Sequence, residues 1–351
     1  MSRGRVLVAM SGGVDSSLSA CLLSSRGFEC SGVTMVLWNS EPEGVGLAKQ
    51  AATVCGCSHA VLNYSDEFAK KVVSRFAGLY EQGCTPNPCI YCNRFFKFGK
   101  LLDYAVSEGF NYLATGHYAQ VEYSSAKNCF VLKRAADQLK DQTYFLYFLT
   151  QKQLSRVLFP LGDLTKQNVK KLGASFGLKS ASASESQDIC FVGNEGYVNF
   201  IKNFTKKTYA CGNFVDEAGK VLGRHSGLVN YTIGQRRGLG VAFCERLYVK
   251  QIRPQTNEVV LSPQNRLLIK KIGLKNVSLI FLEAAAQNFV FATVKLRYSS
   301  REFKARVCFQ NSNEAVVELE KPQISPAKGQ AVVFYDGELV VGGGIVAECF
   351  C

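Results

Sequence analysis

The sequence predicts an α/β protein with an N-terminal domain on a parallel sheet, a small central β-rich domain and a C-terminal domain made of strands. Three observations carry that expectation. Residues 5–150 alternate short apolar runs with longer helix-like stretches, the pattern of a parallel sheet covered by helices on both faces. From about Thr208 the chain changes to short alternating runs broken by glycines, as in "NFVDEAGKVLGRH" and "YTIGQRRGLGV". After Leu267 it reads as strand almost throughout ("FATVKLRYS", "FKARVCFQ", "EAVVELE", "QAVVFYDGELVVGGGIVAECF"), which fits a small barrel or sandwich. Boundaries near residues 200 and 265 divide the chain into 1–200, 201–265 and 266–351.

Taken in order, Val6–Met10 reads as a buried strand and Ser16–Arg26 as the helix after it. Ser31–Leu37 is the next strand, followed by an Ala-rich helix near Leu47–Cys55 and a strand near His59–Leu62. Helices over Asp66–Gln82 and Phe96–Glu108 precede a strand at Tyr112–Thr115. Helical patterning covers Gln151–Phe159 and Thr165–Phe176, and another helix begins near Gly196. Parallel sheets of this kind bind ligands beyond the carboxyl ends of their strands, where the Ser11–Ser17 loop lies.

With 351 residues and 47% hydrophobic content, each domain has enough apolar material for a core. The 41 Lys and Arg against 28 Asp and Glu leave a net charge of +13, which attracts polyanions, nucleic acid before acidic membrane. A merely basic, soluble surface is the plainer alternative. No N-terminal signal pattern is visible and no window approaches the ~20 apolar residues of a membrane span. The chain therefore reads as cytoplasmic, with no membrane partner, and its 14 cysteines as mostly small core residues rather than a disulfide scaffold. Only three histidines are present, which argues against a His-rich metal site.

The stretch "VLVAMSGGVDSSLSACLL" places two glycines and several serines between a strand and a helix. Such a junction aims free backbone N–H groups and the positive end of the helix dipole at one spot. Gly12 and Gly13 let phosphate oxygens approach the main chain, and Ser11, Ser16 and Ser17 offer hydroxyls. The Gly-x-x-x-x-Gly-Lys-Ser/Thr loop and its lysine are absent, as is Gly-x-Gly-x-x-Gly. A pyrophosphate grip suited to adenylation fits better than phosphoryl transfer to water; an ordinary glycine turn with a serine cap is the alternative.

A second cluster is "GCTPNPCIYCNRFFKF", in which Cys89 and Cys92 stand just before a helix. A helix dipole, with Arg94 and Lys97 nearby, favours a thiolate there. "ESQDICFVG" supplies Cys190 ahead of another helix. Cys21, Cys30, Cys55, Cys129 and Cys308 lie in apolar patterns and read as core. A zinc site pairing Cys89 and Cys92 with Cys55 and Cys57 lacks the usual spacing.

"SGGVDSS" resembles the signature of the PP-loop ATP pyrophosphatases, whose Rossmann-like domains, related to the adenine nucleotide α-hydrolases, release pyrophosphate from ATP while adenylating a carbonyl oxygen. Together with "TPNPCIYCNRFFKF", "ATGHYA", "KDQTYFLY", "LFPLG", "SQDICFVG", "YTIGQRRGLG" and "GQAVVFYDGELVVGGGI", it makes the whole chain resemble the bacterial tRNA-specific 2-thiouridylases. The resemblance implies a C-terminal β-barrel and ATP-dependent 2-thiolation of the wobble uridine in tRNAs for Lys, Glu and Gln. It puts ATP, with Mg2+, on Ala9, Met10, Ser11, Gly12, Gly13, Val14, Asp15 and Ser16, completed by Met35 and Gly116. Cys92 takes the nucleophile's place and Cys190 that of the persulfide carrier, the two ending as a disulfide. Asn87, Pro88 and Cys89 fall at the target base. His117, Lys140, Asp141, Gln142, Arg297, Tyr298 and Gln330 fall at tRNA-contacting positions. A cysteine desulfurase or sulfur-relay protein is the implied sulfur donor.

Some family members carry Asp where this chain has Cys89. That departure opens a second reading, an iron–sulfur cluster held by Cys89, Cys92 and Cys190. The stretch after Trp38 is also shorter than usual. Arg236 and Arg237 in "YTIGQRRGLG" read as a phosphate-gripping loop or a solvated hairpin. Two rivals remain at this level: an amidating or ligating PP-loop enzyme, which needs neither Cys92 nor Cys190, and a redox-sensing RNA-binding protein, which needs no ATP.

Overall fold

The computed structural model describes residues 3–38, 42–182, 189–281 and 288–350. Its first sheet contains β1 (Arg5–Ala9), β2 (Glu29–Val36), β3 (Ser58–Asn63), β4 (Tyr112–Ala114) and a short fifth strand, Val157–Leu158. All pair in parallel in the order β3-β2-β1-β4, with the short strand outermost beside β4. Val6, Leu7 and Val8 are buried, as a central strand covered on both faces requires. β2 and β4 flank β1, so the strand order reverses there and leaves a crevice beyond Ala9 and Ala114.

Helix α1 (Val14–Ser25) starts at its N-cap Gly13 and carries Asp15 in the first turn, where the dipole favours a negative charge. It stops at Gly27, whose φ of +84° only glycine adopts readily. Helix α2 (Pro42–Val54) follows β2. Two longer helical runs, α3 (residues 65–81) and α4 (residues 88–107), each widen into π-helix, over Ala69–Val73 and Asn93–Leu101. Segments of that kind recur at functional sites.

Several expectations need correction. Helical patterning over Gln151–Phe159 yields only a turn of helix, Gln151–Leu154, before the chain extends into the edge strand. The cysteine-bearing helix begins at Pro88, not Phe96: the Asn87 side chain accepts the Cys89 N–H and proline occupies the first turn. Cys89 and Cys92 are thus within the helix rather than before it. Cys21 and Cys55 are buried, as expected of core cysteines, but are bonded to each other as a disulfide between α1 and the end of α2. Cys55 is therefore not a zinc ligand. "YTIGQRRGLG" is irregular turn with Arg236 and Arg237 exposed, not a hairpin.

The central domain is a four-stranded sheet in which hairpin Gly212–Val215 and Val221–His225 joins Leu247–Arg253 and Glu258–Pro263. The C-terminal domain is a closed six-stranded antiparallel barrel, because Leu268–Leu279 pairs both with Glu314–Ile324 and with the last strand, Leu339–Phe350. Closure decides for barrel over sandwich. A hairpin the sequence reading missed, Gln120–Ser124 with Cys129–Lys133, attaches to the barrel through Lys133 and Leu339. Buried Arg134 reinforces the seam by pairing with Glu302 at 2.8 Å and lying over the Tyr335 ring. A continuous apolar core runs from Leu7, Phe98 and Leu101 through Tyr144 and Tyr147 to Val333 and Phe334 of the barrel.

Candidate active site

The crevice at the reversal point is lined by Ala9, Met10, Ser11, Asp15, Ser16, Met35 and Gly116 from the expected nucleotide set. Gly12, Gly13 and Val14 support it from behind. A Cβ on Gly12 would stand 2.4 Å from the Gly44 carbonyl oxygen of α2, and its φ is +86°. Gly12 is needed for that close backbone contact as much as for an incoming phosphate. Gly116 plays a similar part, since a Cβ there would meet the Asp15–Ser16 backbone at 2.8 Å. Val14 is buried in the apolar layer beneath α1.

The loop is braced before any ligand arrives. The Ser16 hydroxyl donates to the Gly13 carbonyl at 3.1 Å and accepts the Ser11 N–H at 3.1 Å. The Asp15 carboxylate accepts from Tyr118 Oη at 2.9 Å and from Lys166 Nζ at 2.7 Å. Lys166 opens the Lys166–Ser175 helix, and nothing in its local sequence marks it as a partner of the loop. Ser17 is no phosphate donor: its hydroxyl is buried and has no hydrogen-bond partner among the described residues.

The distant cysteines come together beside this crevice. Phe191 and Val192, next to Cys190, are buried in one aromatic cluster with Phe68, Phe76, Phe96 and Phe200, and Cys92 and Ile189 pack against the same cluster. Phe191 meets Phe76 and Phe200 at ring distances of 5.3 and 5.2 Å. Ser186–Asp188 of "SQDICFVG" lie outside the described residues. Cys89 and Cys190 are exposed and Cys92 is half-buried.

The expectation of a resting thiolate is not met. Although Cys89 and Cys190 keep an exposed face, desolvation by the surrounding protein raises all three thiols above the ordinary range, Cys92 to about 12. Lys97 pulls each of the three back down, and Cys190 and Cys89 raise Cys92 further, so the four groups share one electrostatic neighbourhood. Lys97 also lines the nucleotide crevice. Its place about one helical turn beyond Cys92 is the available signal, but no local pattern sets it above Arg94, which instead stacks over Phe148.

The residues expected at tRNA divide. His117 is buried in the crevice wall, bonded to Thr115 Oγ1 at 2.7 Å, and held neutral by desolvation and by Lys97. Asp141 is buried and accepts from Ala135 N and Thr143 Oγ1, a brace for its own turn. Gln142 lines the crevice while accepting the Tyr118 N–H, and Lys140 is half-buried beside it. Arg297 and Tyr298 are exposed on a barrel loop, with the Tyr298 ring 4.5 Å from Phe145. Phe145 in turn accepts from Asn93, the neighbour of Cys92. Gln330 points inward: its Nε2 donates to the Thr85 carbonyl at 2.8 Å.

Among the described residues, no three His, Cys, Asp or Glu side chains gather closely enough to hold a metal ion.

A reversal-point crevice with a glycine loop and a thiol pocket beside it defines the chain as an HUP-domain protein carrying two β-rich domains. Family models agree along the chain: "tRNA methyl transferase HUP domain" over residues 4–194, "tRNA methyl transferase PRC-barrel domain" over 198–263 and "Aminomethyltransferase beta-barrel domain" over 270–346. The tRNA-specific 2-thiouridylase MnmA of Acetivibrio thermocellus is 41% identical, covering 99% of this chain and 100% of that protein. MnmA 1 of Caldanaerobacter subterraneus subsp. tengcongensis is 42% identical over 98% of both chains. MnmA of Pelotomaculum thermopropionicum is 41% identical over 99% and 98%. The chain belongs to the tRNA-specific 2-thiouridylase family.

Proposed function

We propose that this protein is a tRNA-uridine 2-sulfurtransferase, replacing the C2 oxygen of a tRNA wobble uridine with sulfur at the expense of ATP. The supporting observation is the position of Lys97, which lines the nucleotide crevice and acts electrostatically on Cys89, Cys92 and Cys190. ATP lies with its phosphates on the Ser11–Ser16 loop and the start of α1. The uridine O2 attacks the α-phosphorus and pyrophosphate leaves, turning a poor leaving group into AMP. A persulfide on Cys190, loaded by a persulfide-bearing donor protein, then attacks C2 through its terminal sulfur, and AMP departs. The Cys92 thiolate attacks Cys190 Sγ; the S–S bond breaks, the thiocarbonyl remains on the base, and a Cys92–Cys190 disulfide is left for a dithiol to reduce.

Lys97 supports both halves. It balances charge building on the phosphates and favours the Cys92 thiolate against burial. The base must leave the anticodon stack to reach the crevice. Arg236, Arg237 and Arg297 are exposed cations suited to holding the RNA backbone around it. No helix among the described residues is long and apolar enough to cross a membrane.

The test combines purified protein, ATP, unmodified tRNA for glutamate and a persulfide donor, followed by nucleoside analysis. 2-Thiouridine forms with the native chain and not with Cys190→Ser. Absence of product with the native chain, or undiminished product with the variant, overturns the reading.

A further inference from the structure

The segment leading into α4 is held by both other domains. The Thr85 N–H donates to the Lys328 carbonyl at 2.8 Å, while Gln330 Nε2 donates to the Thr85 carbonyl at 2.8 Å. One residue is therefore gripped at both its backbone groups by a single barrel turn. That turn is itself fixed to the barrel's last strand, with Gly329 N–H donating to Val346 O and Val346 N–H to Gln330 O. Gly329 has φ +89° and lies so close to the loop that a Cβ would stand 3.2 Å from Cys84 Cβ. On the other side, Thr85 Oγ1 bonds Thr232 Oγ1 at 3.3 Å in the "YTIGQRRGLG" loop. Gly83 packs against Ile252, which a Cβ would approach to 2.9 Å.

We propose that the Lys328–Gln330 turn is a positioning clamp for the target-base segment, with the Gln330 amide as its working group. The inference rests on the thiolation reading above. Thr85 precedes Asn87, Pro88 and Cys89 by two to four residues, and α4 continues as unbroken helix from there to Cys92 and Lys97. Releasing Thr85 frees the start of that helix relative to the crevice, and small misplacements of reacting groups cost much in rate. Gln330 acts through Thr85 and α4; its amide is already committed to protein, so its contribution to catalysis does not require contact with RNA. The clamp also joins the exposed arginines of the central loop to the thiol helix through Thr232 and Thr85.

The experiment compares Gln330→Ala and the isosteric Gln330→Glu, which cannot donate to a carbonyl, with the native chain. In tRNA-free protein, iodoacetamide labelling of Cys92 is expected to rise about threefold or more as the segment loosens. At saturating tRNA, thiolation turnover is expected to fall about tenfold in both variants while tRNA affinity stays within about twofold. Gly329→Ala is expected to give the same pattern through backbone strain. Unchanged Cys92 labelling, a Gln330→Glu variant indistinguishable from native, or weakened tRNA binding with native turnover would each overturn the clamp. If the native chain forms no 2-thiouridine, the proposed reaction fails, and the labelling comparison still decides whether the clamp exists.

Discussion

The loop side of the nucleotide crevice is made of chain neighbours, Ser11 to Ser16, braced by Ser16 within the loop and by close backbone contacts at Gly12 and Gly116. The thiol pocket shares none of that economy. Cys92 and Cys190 come from segments separated by about half of the N-terminal domain, and an aromatic cluster around Phe191 brings them together. The electrostatics differ as well. A helix N-terminus offers an incoming anion ready-made stabilisation, whereas burial suppresses the thiolates. One half of the site is set by its own backbone; in the other, Lys97 is what opposes the cost of ionising the thiols. Lys97 is where the two meet.

That contrast has consequences, the largest at the thiols. Cys92→Ser and Cys190→Ser should each lower thiolation by about 10³-fold or more, since removing a nucleophile removes the step it performs. ATP affinity, measured by equilibrium binding, should stay native; a loss there would mean that the two regions are not separable. Lys97→Met is the opposite case. It should cost about 10²-fold in turnover, in the range of losing one preorganised charge, and should also weaken ATP binding. If only one readout moves, Lys97 serves only one region.

A smaller effect concerns the loop's glycines. Gly12→Ala should destabilise the protein by about 1–3 kcal/mol in urea unfolding, because strained φ and the Gly44 carbonyl both oppose a Cβ. Gly13→Ala, whose Cβ meets only Ser11 Oγ at 3.6 Å, should cost less than about 1 kcal/mol. Equal costs would refute the claim that α2 packing dictates Gly12. The smallest effect is one of profile. Because the neutral Cys92 thiol is favoured up to about 12, its iodoacetamide labelling should keep climbing as pH rises past 9, the thiolate fraction growing with each step. A plateau near pH 9 would show that burial does not govern this thiol.

The parallel-sheet alternation, the Ser11–Ser16 loop and the change to strand near Thr208 were legible because each is a local pattern of periodicity or turn chemistry. The start of α4 lies upstream of the expected Phe96 because Asn87 caps the helix and Pro88 occupies its first turn, a local signal that the apolar spacing alone does not show. The Gln120–Lys133 hairpin pairs chiefly within itself; its tie to the barrel, some two hundred residues on, is the part that local pattern cannot show. The Cys21–Cys55 bond was missed for a comparable reason: two apolar helices gave no sign that their cysteines face each other.

By itself, then, the sequence determined the class of fold and the glycine-serine loop at the head of α1, since strand, turn and cap preferences act over a few neighbouring residues. Tertiary structure alone decided which cation serves the thiols, which glycines answer to packing, and that a barrel turn holds Thr85 at both backbone groups. Desolvation and long-range hydrogen bonding depend on what surrounds a group in space, and chain order does not encode that by any local rule.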